Sequence, residues 1–385
     1  MIKFPIYLDY HSTTPVDTEV LEEMLPYFTD NFGNAASKSH RYGWIAAEAV
    51  NIARNKIAKL INSSIYEIFF TSGATESINL ALKGIAEAYI DKGNHIITTH
   101  IEHKAVLDTC KYLEERGFEI SFLDVDEYGI VNAESLNKLI TEKTILVSVI
   151  FANNEIGTIQ PIGKIQEICG KKNVLLFTDA TQAAGKIPID SRELKIDLMC
   201  FSSHKIYGPK GIGALYIKDV KPKIKVIEQI NGGGHERGLR SGTLNVPAIV
   251  GFGKACEIAM NNMKSDEERI RALRDKLQNE LLVNLPFAEL NGHPEKRLYN
   301  NLNISFGNID SNVLISSLKD IAVSTGSACS SESAETSYVL KAIGKTAEKV
   351  KSSIRIGLGR YNTEEEIKYA AEKIISSVKR LNNIS

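Results

Sequence analysis

Residues 198–213 read Leu198-Met-Cys-Phe-Ser-Ser-His-Lys205-Ile-Tyr-Gly-Pro-Lys-Gly-Ile-Gly213. The apolar run that opens this stretch and the apolar run Ala214 to Ile217 after it predict a strand, a turn and a returning strand. Lys205 leaves a buried strand, where poor solvation lowers the pKa of an amine and favours the free base that attacks carbonyl groups. The alternative is a surface lysine in an ordinary turn, and the rest of the chain has to decide between the two.

The composition is that of an ordinary globular chain. The 385 residues are 43% hydrophobic and 24% charged, enough for one large domain and a smaller one. The formal net charge of -1 gives no reason to expect nucleic acid or an anionic membrane as a partner. The N-terminal residues do not read as a secretory signal, and no run is long and apolar enough to span a bilayer, so we expect a cytoplasmic protein.

The five cysteines show no CxxC pair, so neither a disulfide framework nor a zinc site is predicted, and we expect no bound metal. Four of them lie among apolar or helical neighbours and are expected to be inert. Cys329 lies in the small, polar run Ser324 to Ser333, where a thiol would be accessible. A reactive role and a structural role for Cys329 are equally open at this point.

Strands alternate with helical segments from about residue 67 to 217, which predicts an α/β domain with a mostly parallel sheet. Several predicted strands end in polar residues, and ligands of such sheets gather outside the carboxyl ends of the strands. His103, Asp179 and Gln182 follow two of these strands. After a third strand, the turn Thr71-Ser-Gly leads directly into a helix, which suits a phosphate or is an ordinary connection capped by Thr75.

The second part of the chain predicts a small α+β domain. A helix over Val246 to Met260 and a second, charged helix from Asp266 to about Val283 place the domain change near Met263. We therefore expect a large domain over residues 1–262 and a small domain over residues 263–385. About the first 20 residues are also expected to pack with the small domain.

Together, the predicted crevice offers a lysine amine, an aspartate, a histidine and a helix N-terminus. This set matches pyridoxal 5′-phosphate (PLP). The lysine would form a Schiff base, the carboxylate would keep the pyridine nitrogen protonated, and the helix end would bind the phosphate.

Motifs along essentially the whole chain resemble those of cysteine desulfurases of the IscS/NifS type, in the class V aminotransferase family. These motifs are Tyr7-Leu-Asp-Tyr, Thr13-Thr-Pro, Phe32-Gly-Asn, Thr71-Ser-Gly-Ala-Thr-Glu-Ser77, Glu102-His-Lys, Asn153-Asn-Glu-Ile-Gly157, Asp179-Ala-Thr-Gln182, Ser203-His-Lys-Ile-Tyr-Gly-Pro-Lys-Gly211, Gly232-Gly-Gly-His-Glu-Arg-Gly-Leu-Arg-Ser-Gly-Thr243 and Gly326-Ser-Ala-Cys329.

The resemblance implies a fold-type I PLP-dependent transferase that works as a homodimer. Lys205 would carry PLP, Asp179 would pair with the pyridine nitrogen, His103 would stack on the ring, and Gln182 would bond the phenolic oxygen. The full set of cofactor contacts that the resemblance implies is Ala74, Thr75, His103, Asn154, Asp179, Gln182, Ser202, His204, Lys205 and, reaching over from the partner subunit, Thr243. The implied contacts to the substrate carboxylate are Asn34, Asn154 and Arg355.

The implied reaction removes sulfur from L-cysteine and releases L-alanine. The freed Lys205 amine would take the Cα proton, and the Cys329 thiolate would attack the substrate sulfur to give an enzyme persulfide. His103 would adjust the protonation of the substrate or nucleophile. The sulfur would serve iron–sulfur cluster assembly on a scaffold protein, where the persulfide would transiently contact a cluster, or other thio-cofactors and tRNA thiolation.

The sequence departs from the family pattern at two points, and two other functions stay open. The family commonly has proline after the asparagine of Asn34-Ala-Ala, and many members have a tail beyond the last helix that helps to dock the scaffold, whereas this sequence ends at Ser385. The rivals are a selenocysteine lyase or another PLP β-lyase, and a non-catalytic scaffold or regulatory protein on the same fold.

Overall fold

The computed structural model describes residues 2–325 and 336–382. The strands are β1 (Ile6–Tyr7), β2 (Ile68–Thr71), β3 (His95–Thr99), β4 (Glu119–Leu123), β5 (Thr144–Ser148), β6 (Leu175–Asp179), β7 (Leu198–Ser202), β8 (Gly213–Ile217), β9 (Glu289–Leu290), β10 (Asn301–Ser305), β11 (Ile321–Ala322) and β12 (Ser353–Gly357). The helices are α1 (Thr18–Met24), α2 (Pro26–Thr29), α3 (Arg41–Leu60), α4 (Ala74–Ala88), α5 (Lys104–Glu114), α6 (Ala133–Leu139), α7 (Ile162–Lys171), α8 (Val246–Asn284), α9 (Ser311–Ser317), α10 (Tyr338–Ala342), α11 (Ala347–Lys351) and α12 (Glu364–Leu381).

The central element is a seven-stranded sheet with the order β2-β8-β7-β6-β5-β3-β4. Only β8 runs antiparallel to its neighbours in this sheet; it returns directly from β7, with Ser202 opposite Gly213. The predicted strand, turn and returning strand are therefore confirmed. Strands β3, β5, β7 and β8 are buried along their whole length, as expected for strands covered on both faces.

Helices cover both faces of this sheet, which confirms the predicted α/β class. On one face, α3 and the first part of α8 pack together in the largest hydrophobic cluster. The two helices approach closely at Gly253, where a Cβ atom would lie 2.6 Å from the Cα of Ala53. On the other face, α4 and α5 pack on Leu146, Phe177 and Leu198 of the sheet. The carboxyl ends of the parallel strands are left open between the two layers.

The prediction of two separate helices on either side of Met263 is wrong, because α8 is one continuous helix. Ser265, just before the predicted second helix, lies inside α8, and its hydroxyl donates to the backbone carbonyl of Asn262. No glycine or proline lies between Met263 and Asp266 to interrupt the helix. The change from apolar to charged residues near Met263 therefore marks a change in what the helix packs against, and the helix itself continues.

The second part of α8 packs in a separate hydrophobic cluster with α12 and with the antiparallel sheet β12-β10-β9. Ile6 and Leu8 belong to the same cluster, and β1 pairs in parallel with β11. The N-terminal segment thus packs with the C-terminal part of the chain. The division into domains at residue 262 stays a prediction. No helix within the described ranges is long and apolar enough to cross a membrane.

Candidate active site

A cleft of about 620 Å³ lies at the carboxyl ends of the parallel strands, and we call it the Lys205 cleft. Most of the site residues predicted from the sequence line it: Ala74, Thr75, His103, Asn154, Asp179, Gln182, Ser202, His204, Lys205 and Arg355. These residues come from segments far apart in the chain. The sheet brings them together because β3, β5, β6 and β7 are parallel, and β2 runs in the same direction, so all five strands end at the same edge.

Lys205 ends the short 3₁₀ turn Ser203–Lys205 that follows β7. Its Nζ donates hydrogen bonds to the backbone carbonyls of His11, at 2.6 Å, and Ser12, at 2.5 Å. The neighbouring His204 imidazole contacts the Thr13 hydroxyl at 3.1 Å. Burial, together with the nearby Lys205 and Lys210, lowers the pKa of His204 to about 4. His204 is therefore neutral at physiological pH and adds no positive charge beside the lysine.

The N-terminus of α4 forms one wall of the cleft. Its N-cap is Gly73, so no side chain caps the first turn of the helix. Strand β8 passes very close behind this turn, because a Cβ on Gly213 would lie 2.7 Å from the Cα of Gly73. Ser202 and His204 line the same part of the cleft. The free N–H groups of a helix N-terminus beside a hydroxyl and an imidazole are suited to an anion such as phosphate.

A carboxylate in the first turn of α4 could oppose this anion site, but its charge is compensated. Glu76 accepts a hydrogen bond from Arg240 Nε at 2.7 Å and another from the Ser72 N–H at 2.7 Å. Burial raises the pKa of Glu76, but these bonds outweigh it and bring the pKa below its usual value. The carboxylate is thus ionised and paired with Arg240.

Asp179 is the last residue of β6 and is buried at the bottom of the cleft. Its Oδ1 accepts from the Thr181 N–H at 2.9 Å and from the Cys200 thiol at 3.6 Å. No ion pair to Asp179 is formed within the described part of the chain. A buried carboxylate is stabilised by a cationic partner, and a protonated ring nitrogen in the cleft would supply one.

His103 is the N-cap of α5 and reaches the cleft from the end of β3. Its Nδ1 accepts a hydrogen bond from the Ala105 N–H at 3.1 Å, which places the proton of the neutral ring on Nε2. The residue before it, Glu102, is fully buried behind the cleft. Burial raises the pKa of Glu102 to about 8, and its Oε1 accepts from the Thr99 hydroxyl and the Ile150 N–H.

Arg355 enters the cleft from β12, on the side of the second hydrophobic cluster. Its guanidinium donates to Asp9 Oδ1 at 2.8 Å, to the Ser12 hydroxyl at 2.8 Å and to the backbone carbonyl of Asn154 at 3.0 Å. These contacts hold a planar group with five donors at the mouth of the site. The Arg355 fork beside Asn154 is suited to a substrate carboxylate.

Three site residues predicted from the resemblance do not lie in the described cleft. Asn34 is exposed and its side chain accepts from the Ala36 N–H. Thr243 is exposed, as expected of a residue that would act on the partner subunit. Cys329 lies outside the described residues. The roles assigned to these three residues stay predictions.

The sequence interpretation missed two buried residues beside the cleft, His11 and Lys186. His11 lies between the two N-terminal motifs quoted above, so its position beside them was a usable signal. Lys186 follows Gln182 by four residues and is buried, with its Nζ on the carbonyl and side-chain oxygens of Gln182. Lys186 shows in no local pattern, because only the tertiary fold places its amine against Gln182 beside the cleft.

The residues that line the Lys205 cleft fit PLP. The cleft holds an uncapped helix N-terminus for the phosphate, a buried carboxylate without an ion-pair partner among the described residues, an imidazole, and a lysine amine. Its size lies in the range of small-ligand sites. An α/β fold with a lysine at the exit of a sheet strand and a phosphate-type helix end defines the class: a PLP-dependent enzyme of fold type I.

Comparison with known proteins narrows this class. The family model described as Aminotransferase class-V matches residues 6–370. A cysteine desulfurase IscS of Ehrlichia chaffeensis is 52% identical over 384 residues, covering 100% of this chain and 93% of the relative. A NifS-like protein of known structure superposes with a TM-score of 0.91 at 43% identity, covering 98% of this chain and 100% of that chain. The structure described as SspA in complex with cysteine has a TM-score of 0.82 at 36% identity, over 93% of this chain and 100% of that chain.

The chain belongs to the class-V aminotransferase family.

Proposed function

We propose that this chain is a PLP-dependent cysteine desulfurase, which converts L-cysteine to L-alanine and retains the sulfur for transfer. The observation that carries the proposal is the Lys205 cleft, in a chain that matches cysteine desulfurases over its whole length. When bound, PLP supplies an electron sink that stabilises negative charge at the substrate Cα.

The residues that would hold the cofactor are those of the α4 N-terminus, with Ser202 and His204 at the phosphate and Asp179 at the ring nitrogen. The Lys205 amine, which donates to two backbone carbonyls, would bond the cofactor's carbonyl carbon and act afterwards as the general base at Cα. His103 is suited to lie against the ring and to exchange a proton at Nε2.

Substrate orientation depends on Arg355 and Asn154. The Arg355 guanidinium is fixed by Asp9 and Ser12 and so would bind a carboxylate without first having to be ordered. Arg355 and Lys205 line the same cleft and both contact Ser12, so a carboxylate bound to Arg355 would hold the substrate Cα near the Lys205 amine. We assign Asn34 to the same carboxylate, and Thr243 of the partner subunit to the phosphate, on the resemblance alone.

Cys329 would be the sulfur acceptor. Its thiolate attacks the substrate sulfur, so that an S–S bond forms on Cys329 while the C–S bond of the substrate breaks, and the carbon that keeps the electron pair is then protonated. The product retained on the protein is a persulfide, and the released product is L-alanine.

Two substitutions test the proposal. The purified protein should show the visible absorbance of lysine-bound PLP, and Lys205→Ala should abolish it together with activity. Cys329→Ser should abolish alanine formation from L-cysteine in the presence of a thiol acceptor while leaving the absorbance in place. Retained turnover of L-cysteine by Cys329→Ser would overturn the desulfurase mechanism and favour a β-lyase, for which selenocysteine is the substrate to try. A protein without PLP absorbance would indicate a non-catalytic role.

We further propose that the enzyme is a homodimer. Helices α1 to α3 and the loop between α2 and α3 carry several exposed large apolar side chains, among them Leu21, Leu25, Phe28, Phe32 and Trp44. Exposed apolar patches of this kind mark interaction sites. Phe28→Asp should give a monomer in sedimentation velocity, whereas Val283→Asp, at an exposed position on α8, should leave the dimer intact. An unchanged sedimentation coefficient for Phe28→Asp would contradict this placement of the interface.

The acceptors of the sulfur are proposed to be an iron–sulfur scaffold protein and other carriers, including those of tRNA thiolation, in the cytoplasm. A persulfide can be transferred only to a partner that reaches Cys329. Pull-down of partners under conditions that preserve the persulfide tests this, with Cys329→Ser as the control. Partners that are captured equally by both proteins without accepting sulfur would contradict it.

A further inference from the structure

A second buried lysine lies directly beside the Lys205 cleft. Lys186 is only 6% exposed, and its Nζ donates to the backbone carbonyl of Gln182 at 3.0 Å and to the side-chain Oε1 of Gln182 at 3.1 Å. Gln182 itself is buried and lines the cleft. Lys186 does not line the cleft and has no place in the proposed reaction. A buried amine with both of its contacts on one glutamine requires an explanation.

His11 contacts the same glutamine from the other side. The imidazole is 1% exposed, and its Nδ1 lies 3.0 Å from Gln182 Oε1. The backbone carbonyl of His11 accepts from Gln182 Nε2 at 2.9 Å and from Lys205 Nζ at 2.6 Å. The side chain and backbone of His11 therefore contact opposite ends of the Gln182 amide.

These contacts permit only one orientation of the amide. Lys186 has donors and no acceptor, so the atom it faces must be Oε1. The His11 carbonyl can only accept, so the atom it faces must be Nε2. Both ring nitrogens of His11 face oxygen atoms: Nδ1 lies 3.0 Å from Gln182 Oε1, and Nε2 lies 3.3 Å from the backbone carbonyl of Asn300. A neutral imidazole has one N–H, and the Nδ1–H tautomer donates it at the shorter contact, to Gln182 Oε1. A rotation of the amide by 180° would place donors against donors and acceptors against acceptors.

We propose that Lys186 and His11 are positioning residues that lock the Gln182 amide so that its NH₂ group, and not its oxygen, is presented to the Lys205 cleft. One N–H of this group is taken by the His11 carbonyl, and the second is available to a ligand. The inference rests on the proposed function only in naming the ligand atom, which is the phenolic oxygen of PLP, the acceptor that the family resemblance assigns to Gln182.

The lock does not depend on the charge of Lys186. Burial and the nearby Lys205 lower the pKa of Lys186 to about 7, and burial lowers the pKa of His11 well below its usual value. A neutral amine keeps two N–H donors and gains a lone pair, but the His11 carbonyl can only accept, so it keeps Gln182 Nε2 on its side in either charge state of Lys186. The Lys186 donor at Oε1 and the His11 carbonyl at Nε2 therefore remain in place through the physiological range.

The test is a spectroscopic titration of the PLP-loaded protein, together with equilibrium dialysis of PLP against the apoprotein. A hydrogen bond donated to the phenolic oxygen stabilises its anionic form, so loss of that donor should raise the apparent pKa of the lysine–PLP chromophore. We expect Lys186→Met and Gln182→Ala each to shift it upward by about one pH unit, equivalent to one hydrogen bond of about 1.4 kcal/mol. PLP affinity should fall by about 3- to 10-fold.

A double-mutant cycle separates positioning from a direct charge effect. In the Gln182→Ala background, Lys186→Met should cause no further shift, because the group that it orients is gone. A shift of equal size in both backgrounds would overturn the lock and assign the effect to the lysine charge. His11→Leu should behave like Lys186→Met, whereas His11→Asn, which retains a side-chain N–H near the position of Nδ1, should restore most of the wild-type pKa.

Lys164→Met provides the matched control, since Lys164 is an exposed lysine on α7. It should leave the titration and the PLP affinity unchanged. If the wild-type protein binds no PLP, the proposed function is refuted. If it binds PLP and the variants have the same pKa and PLP affinity as wild type, only the lock is refuted. Circular dichroism of each apoprotein shows whether a variant has folded. If Lys186→Met does not fold, the pKa shift of His11→Leu tests the same proposal.

Discussion

Glu102→Gln should make the stability of this protein markedly less sensitive to pH. Glu102 is fully buried. Its Oε1 accepts from the Thr99 hydroxyl and the Ile150 N–H, each at 2.8 Å, whereas its Oε2 has no hydrogen-bond partner among the described residues. Burial raises the pKa of this carboxyl from 4.5 to about 8. The side chain is therefore protonated in the folded protein at neutral pH.

The sign and size of the effect follow from proton linkage. Below pH 4.5 the carboxyl is protonated in both states, and its contribution is fully favourable. Between 4.5 and about 8 the unfolded chain has lost this proton and the folded chain retains it, so the free energy of unfolding falls as the pH rises. The slope is about 1.4 kcal/mol per pH unit, which gives about 2.7 kcal/mol between about pH 5.5 and about pH 7.5. Glu102→Gln removes the titrating group and with it this slope.

Urea unfolding of wild type and variant at the two pH values measures the effect. The amide introduced by Glu102→Gln has its own fixed cost, but that cost is the same at both pH values and cancels in the difference. The variant should gain about 2.7 kcal/mol relative to wild type on going from about pH 5.5 to about pH 7.5. Glu115→Gln, at an exposed position, is the control and should gain nothing. A Glu102→Gln difference that does not change with pH would show that the carboxyl is ionised in the folded protein, and the reasoning would fail.

Three further substitutions test the fold and the substrate site. Leu277→Ala removes a fully buried side chain from the second part of α8 and should lower the free energy of unfolding by about 2–5 kcal/mol, against a small change for exposed Val283→Ala. Glu236→Gln leaves the buried guanidinium of Arg54, 2.7 Å away, without its counter-ion and should cost about 3–5 kcal/mol, measured by urea unfolding. Arg355→Lys keeps the charge but loses the planar fork, so KM for L-cysteine should rise about 10-fold or more while PLP affinity stays unchanged; an unchanged KM would exclude Arg355 from substrate binding.

The sequence predicted the large sheet and the position of the cleft because both depend on local patterns. Continuous apolar runs mark strands that are buried on two faces, and Asp179 and Lys205 follow such runs directly. Parallel topology then requires their carboxyl ends to meet at one edge. The position of Asp179 and Lys205 in the cleft could therefore be predicted from the sequence alone, because a polar residue at the end of a buried strand lies at the edge of the sheet.

Tertiary geometry decided what local patterns could not. The prediction of two helices on either side of Met263 was wrong, because a change from apolar to charged residues can mark either a new helix or a more exposed part of the same helix. His11 and Lys186 were missed because their roles depend on meeting Gln182, which lies 171 and four residues away in the chain, respectively. The predicted role of Thr243 depends on a second subunit, which no single-chain pattern or structure reveals.

The N-terminal segment, residues 9–12, contacts both Lys205 and Arg355. Ser12 accepts from the Lys205 amine through its backbone carbonyl and from the Arg355 guanidinium through its hydroxyl, while Asp9 pairs with the same guanidinium. Lys205 follows the large sheet, and Arg355 lies on the small one. The four-residue segment from Asp9 to Ser12 therefore connects the proposed carboxylate-binding group to the proposed base. Any relative movement of the two sheets has to strain these contacts, so substrate binding at Arg355 and the position of the Lys205 amine are mechanically coupled through residues 9–12.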